Sequence, residues 1–335
     1  ILAPEKLCGK QIIFIPRSAI IELLAMVTDD SESTQKTAAV APHIALLSVQ
    51  AFFGTLPVIG KIVLAVIPSV AVVGFRVGIT AVVLYAFQRT RGSLKLADRK
   101  DYSRLAILSI FGVTLNQLLF VGGLSLTKAA NTSLLAVTIP IFAIAIGAYL
   151  GTERMRIRKI AGILIAAAGV IFLIDPRSAS FSSQTTLGDV MIILNSFSYG
   201  VYVVRSKDVV TRNGALRSIV WIFIFASTIC VPLGVISLSS IDIAAVPGHV
   251  WWLVIYIAIV ATAAPYLLNA WALARVNPST VVVYIYLQPL IGFVSAVVFL
   301  NERVDLKFAA AAMLVFAGVY LTTKRRKQPD AATQI

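Results

Sequence analysis

Residues 140–170 read PIFAIAIGAYLGTERMRIRKIAGILIAAAGV, and residues 289–319 read PLIGFVSAVVFLNERVDLKFAAAAMLVFAGV. The second stretch restates the first at a spacing of 149 residues. Pro140 meets Pro289, Glu153-Arg154 meets Glu302-Arg303, and Ala168-Gly169-Val170 meets Ala317-Gly318-Val319. In each copy an apolar run ends in a charged corner and a second apolar run follows. Apolar sequence aligns easily with itself, but a proline, a charged corner and a glycine in one register do not follow from composition. The chain reads as an internally duplicated membrane protein, and such duplication is characteristic of transporters.

Composition supports this. Of 335 residues 59% are hydrophobic and 13% charged, about half the charged share of a soluble domain. Mean hydropathy is +0.90. Cys8 and Cys230 are far apart and suggest neither a disulfide framework nor a metal site. His43 and His249 are the only histidines, so no metal and no cofactor is expected.

From His43 onward ten apolar segments can be marked, each near the length that crosses a bilayer. They run approximately 43–65, 68–88, 103–124, 129–150, 157–174, 187–205, 218–238, 250–271, 278–299 and 307–323. The expected fold is all-α and integral to the membrane: ten transmembrane helices in two five-helix repeats, 43–174 and 187–323. Residues 1–42 form an N-terminal extension, flexible or interfacial, and 324–335 a basic cytoplasmic tail.

The net charge of +14 is placed by topology rather than spread for nucleic acid. With the N-terminus inside, the inside loops and tail hold nineteen Lys or Arg against five outside. That asymmetry puts both termini in the cytoplasm. Five spans per half is an odd number, so the second half inserts upside down. The corners agree: ERMRIRK is strongly basic, whereas ERVDLK balances two bases with two acids. The repeat is therefore expected to be inverted.

Ionisable groups within spans default to functional hypotheses. Arg76 lies in the second span and Lys61 near the end of the first; each is an anion contact or a structural group. Glu153, Arg154, Glu302 and Arg303 read as structural helix corners. The uncharged pattern is richer. Asn195, Ser198, Tyr199 and Tyr202 make one polar helix face; so do Thr262, Tyr266 and Asn269, and Thr280, Tyr284 and Gln288. Of the adjacent Asn116 and Gln117, helical geometry aims one inward. Each such group has a bland reading as an interhelical hydrogen bond. Together they suggest a cavity in which Asn116, Asn195, Tyr199, Tyr202, Tyr266, Asn269, Tyr284 and Gln288 bind a small neutral or zwitterionic solute. Pro57, Pro140, Pro265 and Pro289 interrupt spans as hinges, binding carbonyls or tolerated kinks. Gly147, Gly151, Gly162 and Gly169 read as close-packing positions.

The chain resembles the EamA-type permeases of the drug/metabolite transporter superfamily over residues 43–323. The likeness rests on the duplicated stretch, on FFGTLPVIGK at 52–61 with a faint echo SYGVYVVRSK at 198–207, and on GFRVGITAVVL at 74–84. It implies an inner-membrane carrier working by alternating access, often an exporter of amino acids or other metabolites. An arginine at the place of Arg76 is usual there, which implies an architectural role. Uptake or exchange of another metabolite, such as a phosphorylated sugar or nucleoside, is the alternative within transport. A non-transporting scaffold or sensor is the alternative outside it. A membrane enzyme would need a buried acidic, His or Cys constellation that the spans do not offer. The partners expected are a small-molecule substrate and the lipid bilayer, without nucleic acid; a homodimer is left open.

Overall fold

The computed structural model describes residues 35–127, 132, 135–152, 156–174, 185–291 and 306–323. The chain divides into two units, Ile1–Ala39 and Val40–Ile335. Among the described residues there are helices and turns and no strands. The corners Glu153, Arg154, Glu302 and Arg303 and the tail 324–335 lie outside the described residues.

The first half runs through α1 (Gln35–Leu64), α2 (Ser69–Arg91), α3 (Arg99–Ser109), a π segment (Ile110–Thr114), α4 (Leu115–Leu126), α5 (Thr138–Tyr149) and α6 (Ile157–Ile174). The second runs through α7 (Thr186–Asn213), α8 (Ala215–Leu238), a 3₁₀ turn (Ile243–Ala245) and α9 (Gly248–Ala258). It continues through a π segment (Ile259–Ala263), α10 (Ala264–Leu273), α11 (Pro278–Val283), a 3₁₀ segment (Tyr284–Leu287) and α12 (Leu306–Thr323). Among the described residues six continuous helical stretches are long and apolar enough to cross a membrane, and shorter apolar helices accompany them. At 1.5 Å per residue the 23-residue α2 is about 35 Å long, enough for the hydrocarbon core. Large side chains such as Val82, Ile236, Trp252 and Met313 are more than 60% exposed, as lipid-facing positions are. The protein is an integral membrane protein.

Element boundaries recur at the spacing of the sequence repeat. Helix 99–109, the π segment 110–114 and the start of α4 at 115 reappear 149 residues later at 248–258, 259–263 and 264. Likewise α6 at 157–174 reappears as α12 at 306–323.

Two expected spans, 129–150 and 278–299, are not continuous α-helices over their described residues, and proline gives the reason. Pro140 has no N–H for Ala136 O, so Ile139 N reaches back to that carbonyl in a tighter turn at 3.1 Å. Pro289 likewise leaves Ile285 O to Gln288 N. Ala136 and Ile285 are one repeat apart, so each half breaks this helix at the same point. Pro265 follows the second π segment and has no N–H to donate back into it.

Packing is closest where side chains vanish. A Cβ on Gly74 of α2 would lie 2.8 Å from Gly234 Cα of α8. In α6, a Cβ on Gly162 would lie 2.8 Å from Gly318 O of α12, and one on Gly169 3.0 Å from Ala311 O. These two α6–α12 approaches are the same contact seen from either half, since 162 and 311, like 169 and 318, are one repeat apart. Gly151 differs from its expected packing role. It has φ +64 in the turn after α5, with open space around it, and supplies a left-handed conformation instead. The halves also interleave: α7 packs mainly on α4 and α5 of the first half. Its C-terminal end is held on α3 by Asp101, fully buried, which accepts from Arg212 Nη2 at 2.6 Å, Arg212 Nε at 3.0 Å and Asn213 Nδ2 at 2.7 Å.

Candidate functional site

The two π segments frame the middle of the bundle. A π turn widens the helix and leaves carbonyls without their i+4 donors, which then seek side chains. Phe111 O accepts from Ser198 Oγ at 2.7 Å and Gly112 O from the Tyr266 hydroxyl at 2.9 Å. In the second half, Ala261 O, one repeat after Gly112, accepts from Arg76 Nη2 at 3.4 Å. Equivalent freed carbonyls are thus each held by a polar side chain of the bundle centre.

Around these turns lies a cavity of about 100 Å³. Tyr266 anchors its polar wall. Its hydroxyl accepts from Gln117 Nε2 at 2.6 Å and lies 3.1 Å from Asn116 Oδ1. Asn195 Nδ2 donates to Asn116 O at 2.8 Å, and Gln288 Nε2 to Gln50 Oε1 at 2.8 Å. Asn269 Nδ2 donates to the Tyr199 hydroxyl. Arg76, 1% exposed, enters from α2 with Nε on Thr262 Oγ1 at 3.0 Å. Phe53, Phe120, Ile139, Ile192 and Ile285 supply apolar walls. An apolar cavity of about 150 Å³ takes up a benzene, so this conformation has room for a solute of a few heavy atoms.

The structure gathers Arg76, Asn116, Asn195, Tyr199, Tyr266, Asn269 and Gln288 on this one cavity. It does not bring three other candidates there. Tyr202 packs its ring against the Cβ-less face of Gly112, under the first π segment. The Tyr284 hydroxyl pairs with His43 Nδ1 at 2.8 Å. Its separation from Gln288 follows from the 3₁₀ turns between them, which advance about 120° per residue instead of 100° and rotate the face by about 80° over four residues. Lys61 donates from Nζ to Thr127 O at 3.1 Å, at the end of α4. Lys207 donates to Val276 O, one repeat after Thr127, so the faint FFGTLPVIGK echo marks a shared tethering lysine. Asn116 and Gln117 both line the cavity, where one was expected, because it extends along both sides of Tyr266.

Gln50, a polar residue of the first span, lines the cavity too, whereas Phe53, Phe120 and Ile285 are residues that the polar faces did not reveal. The repeat itself is the signal that finds most of them. Four lining pairs stand 149 residues apart, Gln117 and Tyr266, Phe120 and Asn269, Ala136 and Ile285, Ile139 and Gln288, and Phe53 and Tyr199 match at the spacing of 146 that the FFGTLPVIGK echo sets. The cavity is built from matching positions of the two halves.

A duplicated helical membrane protein with a central polar cavity made by both halves has the build common among transporters. The profile of the EamA-like transporter family matches residues 41–175 and again 186–324, and the chain belongs to that family. An uncharacterized transporter of Archaeoglobus fulgidus is 28% identical over 76% of this chain and 87% of its own length. A probable amino-acid metabolite efflux pump of Salmonella typhimurium is 28% identical over 54% of this chain and 62% of that protein. A crystal structure superimposes with a TM-score of 0.70 at 19% identity, covering 87% of this chain and 97% of the other, and shares the fold.

Proposed function

We propose that the protein exports amino acids or related neutral or zwitterionic metabolites by alternating access, with the two halves acting as an inverted repeat around the central cavity. The observation that carries this is the pairing of cavity residues at the repeat spacing, which is what a site on a pseudo-two-fold axis between inverted halves requires. The excess of basic residues in the loops assigned to the inside supports cytoplasmic termini and an inner-membrane location. Efflux pumps for amino-acid metabolites among the relatives support the direction and cargo. The bound solute contacts Asn116, Asn195, Tyr199, Tyr266, Asn269 and Gln288, and the proline breaks at 140 and 289 let the helices flex beside it.

Proteoliposomes loaded with labelled amino acids test this. The wild-type protein should accelerate efflux of some of them, and Tyr199→Phe and Asn269→Ala should reduce that rate. Efflux no faster than from empty vesicles across the panel, or rates untouched by both substitutions, would refute the reading.

A further inference from the structure

The halves meet at two crossings that the repeat makes equivalent, and the two are not equally tight. α1 crosses residues 288–291 at Gly54, and α7 crosses α5 at Gly200. Gly54 and Gly200 match at the spacing of 146 set by the FFGTLPVIGK echo, and Phe142 and Ile291 match at 149. A Cβ on Gly200 would lie 3.1 Å from Ala143 N, 3.3 Å from Phe142 Cβ and 3.4 Å from Ala143 Cα. Two of those atoms are backbone, so an alanine would have to part the helices. A Cβ on Gly54 would lie 4.0 Å from Ile291 Cβ, the mate of Phe142 Cβ, with Ile291 Cγ2 at 3.6 Å and Gln288 O at 3.9 Å. These are ordinary contact distances, so between matched atoms the first crossing is the slacker. It is bridged by hydrogen bonds, His43 Nδ1 with the Tyr284 hydroxyl and Gln288 Nε2 with Gln50 Oε1, each at 2.8 Å. The tight crossing is packed instead by the rings of Phe142 and Phe197, 5.7 Å apart. Each crossing walls the cavity: Phe53 and Gln288 line it beside the first, Tyr199 and Ile139 beside the second. Glycine inside a helix is less stable than alanine, and among the described residues Gly54 has no neighbour that an alanine would displace.

We infer, on the reading that the halves exchange between two facing states, that Gly54 is reserved for the state not seen here. The two crossings are the gates of the cavity. In this conformation the Gly200 crossing is drawn shut and the Gly54 crossing is slack. Inverted halves reach their second state by trading conformations, so an approach made by one half is the approach the other must make. In that state α1 closes on residues 288–291 as α7 closes on α5 here, and the Gly200 crossing loosens in its place. A Cβ at 54 would then meet backbone as closely as one at 200 does now. An alanine at 54 is accepted by one state and refused by the other.

The test is run on the purified full chain and is independent of the cargo. Gly54→Ala should melt at the wild-type temperature or above it, and Gly200→Ala clearly below it. Phe120→Cys then puts a thiol on the cavity wall of protein inserted in one orientation in lipid vesicles, and the wild type sets the background from Cys8 and Cys230. A small membrane-impermeant methanethiosulfonate should label that thiol from both faces of the membrane. Adding Gly54→Ala should leave labelling from one face intact and reduce it from the other about tenfold or more, the population lost when one state must accept an overpacked crossing. A Gly54→Ala protein that melts as low as Gly200→Ala, or does not fold, overturns the inference, since the glycine would then be needed in this conformation. So does undiminished labelling from both faces with Gly54→Ala in place; alternating access would then stand without a reserved glycine. Labelling of Phe120→Cys from fewer than both faces would remove the alternating-access reading itself, and this inference with it.

Discussion

Gly74→Ala should destabilise the bundle, whereas Gly78→Ala one turn further along α2 should be nearly neutral. An alanine Cβ at 74 would meet Gly234 Cα at 2.8 Å and Cys230 O at 2.9 Å, both backbone atoms of α8. Carbon atoms rest at about 3.5–4.0 Å, so α2 and α8 must part by nearly 1 Å at their crossing. A gap of that size forfeits a quarter to a half of each contact's attraction, and contacts are worth about 0.1–0.2 kcal/mol each. Loosening some tens of contacts around the crossing therefore costs about 1–3 kcal/mol, the usual range for overpacking. Helix association in lipid draws heavily on such packing, so little else offsets the loss. At Gly78 the nearest atom is Val231 Cγ2 at 3.0 Å, the end of a side chain that can rotate aside. Thermal unfolding of both variants in one detergent measures the difference. If Gly74→Ala melts no lower than Gly78→Ala, the approach of the α2 and α8 backbones does not set stability, and the argument fails.

Two further outcomes test the site. Tyr266→Phe removes the hydroxyl that Gln117 donates to and that satisfies Gly112 O, leaving polar groups of the first π segment unpaired; it should cost about 1–3 kcal/mol of stability and lower transport, which melting and vesicle efflux measure. Pro140→Ala restores an N–H for Ala136 O and favours a straight helix; it should leave the melting temperature unchanged or raised while slowing efflux, and unaltered efflux would show that the break is not used as a hinge.

Much of the architecture was legible because its causes are local or periodic. Length and hydropathy mark helices, and the duplicated Pro140 and Pro289 mark where one helix of each half breaks. The exact consequence of those prolines was not legible, since a kink, a hinge and a 3₁₀ segment begin with the same missing N–H. The π segments left no pattern at all: Ile110–Thr114 and Ile259–Ala263 read as ordinary apolar helix. Helical period also misplaced Tyr284, because the 3₁₀ turns after it change the angle per residue. Asn195, Tyr199, Tyr266 and Asn269 lie on uninterrupted stretches, and there the period of 3.6 held. Tyr202 shares that period yet packs under Gly112, a tertiary contact that a single helix's pattern does not encode.

The cavity shares its shape between the halves but not its chemistry. Gln117 answers Tyr266, polar against polar, and bonds directly to its own counterpart. Elsewhere the pairs part company: Phe120 answers Asn269, and Ile139 answers Gln288. Arg76 has only Phe225 one repeat away. A duplication first yields two like faces, and a solute with unlike ends cannot be read by two like faces. Divergence that leaves apolar members mostly to the first half, polar members to the second and one cation at Arg76 converts a symmetric gap into a polarised one. Equivalent helices, proline breaks and the α6–α12 glycine crossings recur in both halves. The asymmetry of the lining resides in Arg76, Phe120 and Asn269, and of these Arg76 also holds Ala261 O of the second π segment.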